Sequence, residues 1–116
     1  MRHHNHNRVL SRTRRGRSAL MRGLAMSLVD HGHIITTEAK AKELRPFVEH
    51  LITHAKVDSV ASRRVISSRL GEPSTLVVQQ FFTKATEYID RPGGYTRIIK
   101  TGPTTAGRRE AVIEFV

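Results

Sequence analysis

The chain has 116 residues, which fits one domain with a modest core, and 20 Lys and Arg against 10 Asp and Glu give a formal net charge of +10. Its pI of about 11.3 lies above the value of about 9 that marks nucleic-acid-binding domains. Cysteine is absent, which excludes disulfides, thiolate metal sites and a cysteine nucleophile. No apolar run approaches the roughly 20 residues of a membrane span, and no secretory signal is apparent, so we predict a cytoplasmic protein without membrane contact.

Positive charge is concentrated at the N-terminus. Residues 1–29 contain no lysine, no acidic residue and seven arginines: Arg2, Arg8, Arg12, Arg14, Arg15, Arg17 and Arg22. Residues 30–116 are nearly balanced, with 13 basic and 10 acidic residues. Because residues 1–10 lack apolar periodicity, we predict a basic N-terminal arm over 1–10 and a single compact domain over 11–116. An organellar transit peptide is the alternative, but it would not explain why the rest of the chain is still basic.

The side chains of the arm suit contacts with RNA. A guanidinium is planar, permanently charged and forked, so Arg2 and Arg8 are predicted to bind phosphates. His3, His4 and His6 are predicted to stack on RNA or hydrogen-bond to it. A Cu(II) or Ni(II) site at these histidines is the alternative. The cluster lacks a carboxylate or thiolate ligand and lies among cations, so neither a metal nor another cofactor is predicted, and a merely solvated tail is the remaining alternative.

A helix is predicted over Ser11 to Val29. Leucines recur every four residues in this segment, either Ser11 or Thr13 suits its N-cap, and the sequence from Asp30 to Gly32 suits its end. Its basic side chains fall largely outside the apolar stripe and are predicted to face RNA: Arg12, Arg14, Arg15, Arg17 and Arg22. The β-branched run from His33 to Thr36 then predicts a short strand.

Three further helices are expected in the middle of the chain. Thr36 or Thr37 caps the first of them, whose predicted buried stripe is Leu44, Val48, Leu51, Ile52 and Ala55. Pro46 lies inside this pattern and predicts a kink or a locally reset helix.

The third helix is capped by Asp58 or Ser59, and its predicted apolar residues are Val60, Ala61, Val65 and Ile66. The fourth carries Pro73 in its first turn, and its predicted apolar residues are Leu76, Val77, Phe81, Phe82, Ala85, Tyr88 and Ile89.

Two strands are predicted at the C-terminus, over residues 95–100 and 110–115. In the second, Ala111, Ile113 and Phe115 alternate onto one face, and the Gly- and Pro-containing loop between the strands predicts a hairpin. The order of helix, strand, three helices and two strands predicts an α+β fold of two layers (α/β two-layer), in which helices cover a small mixed sheet.

Outside the N-terminal region the candidate RNA contacts are fewer. Arg63 and Arg64 on the third helix form either a second RNA contact or a solvated face. Tyr95 and Arg97 are predicted to share one face of a strand, as an aromatic and cationic RNA surface or as a half-buried strand. No phosphate-binding loop, nucleophile elbow or dinucleotide fingerprint is present, so the chain is predicted not to be an enzyme.

Several motifs occur in order along nearly the whole chain: Met1-Arg2-His3, Ile35-Thr36-Thr37, Ala41-Lys42-Glu43-Leu44-Arg45, Val48-Glu49, Ser62-Arg63-Arg64, Gly93-Gly94-Tyr95-Thr96-Arg97-Ile98 and Ile113-Glu114-Phe115-Val116. Together they resemble the family of bacterial large-subunit ribosomal protein seventeen. The chain departs from the family pattern at His4-Asn5-His6-Asn7 and at the loop Ala106-Gly107-Arg108-Arg109-Glu110, so the contacts of that loop are left open.

The resemblance implies a structural, non-catalytic constituent of the large (50S) ribosomal subunit that binds 23S rRNA and supports translation and subunit assembly. Its implied neighbours are ribosomal protein thirty-two and, as a second candidate, twenty-two. The residues that it implies for RNA contact are Arg2, His3, Arg8, Arg12, Lys40, Lys42, Arg45, Tyr95 and Arg97. A free-standing RNA-binding or metal-binding protein is the alternative function.

Overall fold

The computed structural model describes residues 8–116, and its elements follow the predicted order. They are α1 (Arg14–His31), β1 (His33–Thr37), α2 (Glu38–Ala55), α3 (Val60–Arg69), α4 (Thr75–Ala85), a 3-10 turn (Thr86–Tyr88), β2 (Thr96–Pro103) and β3 (Arg109–Phe115). The prediction of an α+β fold with helix, strand, three helices and two strands is confirmed.

The sheet has three strands in the order β1-β3-β2, and both pairings are antiparallel. The prediction of a mixed sheet is therefore wrong. The reason is that β3 returns beside β2 as a hairpin, and β1 joins its free edge running opposite to it, with His33 facing Glu114 and Thr37 facing Glu110. The alternation predicted for β3 is confirmed, since Ala111 and Ile113 are buried and Phe115 packs against the core.

The first helix begins at Arg14, as expected for Thr13, the second of the two predicted N-cap candidates. The Thr13 side chain accepts a hydrogen bond from the backbone N–H of Gly16 and caps the helix, whereas Ser11 has a positive φ of 53° and lies before the cap. The helix ends at Gly32, whose φ of 80° is the left-handed conformation that terminates helices.

The second helix is the central element of the fold, because it contacts the other three helices and all three strands. Thr37 caps it by accepting a hydrogen bond from the Lys40 backbone N–H, and its predicted stripe is buried throughout: Leu44, Val48, Leu51, Ile52 and Ala55. The helix runs unbroken past Pro46, whose ring is exposed.

The third and fourth helices follow the predicted order with two differences. Ser59, one of the two predicted candidates, caps α3, but Pro73 lies before α4, which begins at Thr75 with Ser74 as its N-cap residue. In this helix Val78 is buried and 79% of Leu76 is exposed. Leu76 had been predicted to be one of the apolar residues of the helix. Among the described residues, no helix is long and apolar enough to cross a membrane.

Candidate nucleic-acid interface

The N-terminal half of α1 presents a dense group of arginines. The six arginines between residues 8 and 29 share this stretch with no acidic residue. Arg14, Arg15 and Arg17 lie in the first turn of the helix, where Arg14 and Arg15 are exposed and Arg17 is half-buried. Within residues 8–116, no carboxylate lies within 4.0 Å of these three guanidinium groups or of that of Arg12. Their charge is therefore available to an external anion.

A groove of about 300 Å³ runs between α1 and α2 beside these arginines. It is lined by Arg8, Leu10, Arg14, Arg17, Ser18, Met21, Glu43, Pro46, Phe47 and His50. Arg8 is anchored in it, because both its guanidinium Nη1 and its backbone N–H donate to Glu43 Oε1, at 2.8 and 3.2 Å. Arg8, in the predicted arm, is thus bound to α2. Three arginines and one carboxylate, that of Glu43, line the groove.

Arg22 has a different role from the other arginines of α1. Its Nε donates to the carbonyl of Arg69, the last residue of α3, at 3.1 Å, and its guanidinium lies against Gly71. A cation on the last carbonyl of a helix compensates an unpaired acceptor and the negative end of the helix dipole. Arg22 therefore links α1 to α3, and its predicted contact with RNA stays a prediction.

The cations on the exposed side of α2 form ion pairs one helical turn apart. Lys42 Nζ lies 2.8 Å from Glu38 Oε1, and Arg45 Nε lies 3.1 Å from Glu49 Oε2. The hydrogen bond from Lys42 lowers the pKa of the Glu38 carboxyl below its usual value. Pairs of this kind at the surface of a helix are weak, so a phosphate can displace the carboxylate at little cost. Lys40 is half-buried on the same helix and has no carboxylate within 4.0 Å among the described residues.

A second groove, of about 400 Å³, continues along α2 toward the turn before β2. It shares Pro46 and His50 with the groove beside α1 and is also lined by Arg45, Glu49, Thr53, Pro92, Gly93 and Tyr95. Glu49 closes its floor by accepting hydrogen bonds from the Gly94 backbone N–H and the Thr96 hydroxyl. The two grooves therefore lie next to each other along the helix and meet at Pro46 and His50.

Arg63 is held by several partners, whereas Arg64 is not. The Arg63 guanidinium makes two hydrogen bonds to the Asp58 carboxylate and two to the Gln79 side-chain oxygen, and it stacks 4.5 Å from the ring centre of Phe82. The hydrogen bonds lower the pKa of Asp58 and raise that of Arg63. Arg64 is exposed and forms no ion pair with any described residue, so it is the better placed of the two for RNA.

The prediction that Tyr95 and Arg97 share a face is wrong. Tyr95 is fully buried just before β2, with its ring 5.2 Å from that of Tyr88, its hydroxyl 3.2 Å from that of Thr53 and the Lys56 ammonium 4.6 Å from its ring centre. With its ring enclosed by aromatic and helical neighbours, Tyr95 offers no surface for stacking on a base. The Arg97 side chain is 60% exposed and pairs with Glu114 across the strands at 2.6 Å.

Four predicted contact residues, Arg2, His3, His4 and His6, lie outside the described residues. Over residues 8–116, no group of three or more His, Asp or Glu side chains is arranged to hold a metal ion.

One basic site was not predicted. Arg108 and Arg109, at the end of the hairpin, line a concavity of about 350 Å³ together with Arg8 and Lys42. The adjacent arginine pair was the only signal in the sequence, and it lies in the loop whose contacts were left open.

Comparison with known proteins agrees with the resemblance seen in the motifs. The model of the family described as Ribosomal protein L17 matches residues 20–116. The protein of Sphingopyxis alaskensis named Large ribosomal subunit protein bL17 is 48% identical over 117 residues, covering 100% of this chain and 84% of the relative. A relative of the same name from Gemmatimonas aurantiaca is 49% identical over 102 residues, covering 88% and 86%. A third, from Bacteroides fragilis (strain YCH46), is 50% identical over 103 residues, covering 88% and 63%. These relatives are named as ribosomal proteins and not as enzymes, and the chain belongs to the ribosomal protein L17 family.

Proposed function

We propose that this chain is a structural, non-catalytic protein of the large ribosomal subunit that binds 23S rRNA through its basic N-terminal arm and the exposed arginines of α1. The observation that carries the proposal is that some cationic side chains pair with a carboxylate and others do not. The arginines from Arg12 to Arg17 have no carboxylate partner among residues 8–116, whereas Lys42, Arg45 and Arg97 each have one. The relatives are named as proteins of the large ribosomal subunit, which agrees with this use of the charge.

The position of these arginines in the helix supports the same function. The positive end of a helix dipole lies at its N-terminus, where cations are unfavourable by about 0.3–1 kcal/mol each. The first turn of α1 nevertheless carries Arg14, Arg15 and Arg17 and no acidic residue. In the absence of RNA, these cations repel one another and the positive end of the helix dipole, which destabilises the helix. Bound phosphates would neutralise this repulsion. Neutralised phosphates also release counterions, which gives the binding its free energy and its salt dependence.

The paired cations belong to the proposed interface in a secondary role. Exposed ion pairs exchange readily for phosphate, so contacts through Lys42, Arg45 and Arg97 add to those of α1. Arg63 is included as a weaker contact, because binding RNA would require it to leave Asp58 and Gln79. Lys40 and Arg64 are included because no described carboxylate pairs with them. We also propose a cytoplasmic location, a role in subunit assembly, and ribosomal proteins thirty-two and twenty-two as neighbours.

Sedimentation of a lysate from cells that express a tagged full-length chain tests the proposal. We expect the protein to travel with the large subunit in a low-salt sucrose gradient and to leave it as salt is raised. A chain lacking residues 1–12 keeps the Thr13 cap and the whole of α1, so it should fold, and we expect it to be under-represented in the subunit. If the full-length chain stays free of the large subunit at low salt, the proposed function is wrong.

A further inference from the structure

We propose that the end of the β2–β3 hairpin, with Arg109 at its centre, is a separate phosphate-binding site that grips the RNA backbone where the N-terminal arm leaves the domain. This inference rests on the proposed function and adds a second point of attachment, on the sheet. The site consists of Arg8, Lys42, Arg108 and Arg109, which come from three separate segments and line one concavity of about 350 Å³.

The register of the sheet explains why these segments meet. Thr37, the last residue of β1, lies opposite Glu110, so the hairpin beyond Glu110 extends past the end of β1. At that point the chain turns into α2, whose first turn carries Glu38 and Ala39 along the wall of the same concavity. Lys100 on β2 reaches the same helix start, with its Nζ 3.5 Å from Glu38 Oε1.

The local charge is positive even after internal pairing. Arg8 pairs with Glu43 at 2.8 Å and Arg108 with Glu110 at 2.6 Å. Lys42 and Lys100 share the single carboxylate of Glu38.

Arg109 has no carboxylate within 4.0 Å anywhere in residues 8–116, and it is exposed. Together with Lys100, the four cations of the site make five around three carboxylates, and two positive charges are left for a ligand. The carboxylates also hold the neighbouring cations in place, which lowers the ordering cost of binding an anion.

The position of the site favours a chain of phosphates over a single free phosphate or an acidic protein surface. Arg8 lines this concavity and also the groove between α1 and α2, so the two basic depressions meet at one side chain. A polyanion that follows the arginines of α1 thus reaches the hairpin past Glu43 and Glu38, whose charges are already paired with Arg8 and Lys42. Arg suits this contact because its forked donors match phosphate oxygens in pairs.

Binding of the full-length protein to deproteinised 23S rRNA at several salt concentrations tests the inference. We expect Arg109→Gln to reduce the slope of log affinity against log salt by about 1, as for the loss of one phosphate contact. We expect Arg109→Lys, which keeps the charge, to retain the slope. Arg69→Gln is the matched control, because Arg69 is also exposed and without a carboxylate partner among the described residues but lies at the end of α3.

The outcomes separate the inference from the proposed function. If the wild-type protein does not bind 23S rRNA, both are wrong. If it binds and Arg109→Gln behaves as wild type, or if Arg69→Gln lowers the slope equally, only the hairpin site is wrong. If Arg109→Gln weakens the binding of inorganic phosphate alone but leaves 23S rRNA binding as in wild type, the site takes free phosphate and the inference is also wrong.

Discussion

The Thr96 hydroxyl donates a hydrogen bond of 2.9 Å to Glu49 Oε2, which joins the middle of α2 to the first residue of β2. Thr96 is 2% exposed, and the other oxygen of Glu49 accepts a hydrogen bond of 3.1 Å from the Gly94 backbone N–H. Glu49 also pairs with Arg45. One carboxylate thus holds the turn before β2 against the helix and shapes the second groove.

Replacing Glu49 by Gln should destabilise the domain. The amide oxygen can still accept from the Gly94 N–H and the amide NH2 can donate to the Thr96 hydroxyl, but Arg45 Nε loses its acceptor and neither remaining bond has an ionised acceptor. Charge-assisted hydrogen bonds are roughly twice as strong as neutral ones, so we expect the free energy of unfolding in urea to fall by about 1–2 kcal/mol. Glu72→Gln is the control, because Glu72 is exposed and forms no ion pair among residues 8–116. Equal stability of the two variants would contradict a structural role for Glu49.

Two glycine-to-alanine changes are expected to have opposite effects. Gly71 follows α3 with a φ of 77°, and an added Cβ would lie 3.3 Å from Arg22 Nη1. A left-handed conformation costs an L-residue about 1–2 kcal/mol, so Gly71→Ala should lower the free energy of unfolding by at least that amount. Gly23 lies inside α1, where an added Cβ meets nothing within 4 Å, so Gly23→Ala should raise it by about 1 kcal/mol. Thermal unfolding of both variants gives the signs, and a stabilising Gly71→Ala would overturn this account of the α3 end.

The features that were predicted from sequence are those that depend on residues close together in the chain. The caps Thr37 and Ser59, the buried stripe of α2 and the C-terminal hairpin all follow from periodicity and from local hydrogen-bonding groups. Local pattern also located the acid-free basic segment that leads into α1.

The features that were missed depend on residues far apart in the chain. Glu49 and Thr96 are 47 residues apart, so nothing near either residue indicates their bond. Tyr95 was predicted to share an RNA surface or a half-buried strand face with Arg97, because strand alternation was extended one residue too far. Its burial follows from contacts with α2 and with the turn after α4, which are long-range. The antiparallel sheet depends in the same way on whether β1 pairs with β3 or with β2.

Acid should remove the contribution of Asp58 to stability. The hydrogen bonds from Arg63 hold the pKa of the Asp58 carboxyl below its usual value of 3.8. A group whose pKa is lowered by folding stabilises the folded state above its unfolded-state pKa, and this contribution is lost as pH falls through the folded-state pKa. Asp58→Asn should therefore be less stable than wild type at about pH 7, and the difference should shrink below about pH 4.

Urea unfolding of wild type and Asp58→Asn at several pH values measures this difference. Asp90→Asn is the control, because Asp90 is exposed and has no cationic partner within 4.0 Å among the described residues. A stability difference for Asp58→Asn that stays constant from neutral pH down to about pH 3 would contradict the pairing with Arg63.

Removing single arginines from the start of α1 should weaken RNA binding without weakening the fold. Arg14 and Arg15 are exposed and have no carboxylate partner in residues 8–116. We expect Arg14→Gln and Arg15→Gln each to lower the salt slope of 23S rRNA binding by about 1. Because each change removes a cation from the positive end of a helix dipole, the free energy of unfolding should stay equal or rise by about 0.3–1 kcal/mol.

The combination of these two measurements separates an RNA-binding role from a structural one. A side chain that stabilises the domain would lower both the affinity and the free energy of unfolding, whereas these two variants should lower the affinity alone. Arg22→Gln is the informative contrast, because the bond from Arg22 to the Arg69 carbonyl predicts a loss of stability. If Arg14→Gln and Arg15→Gln bind 23S rRNA with the slope of wild type, the N-terminal half of α1 is not the RNA-binding surface.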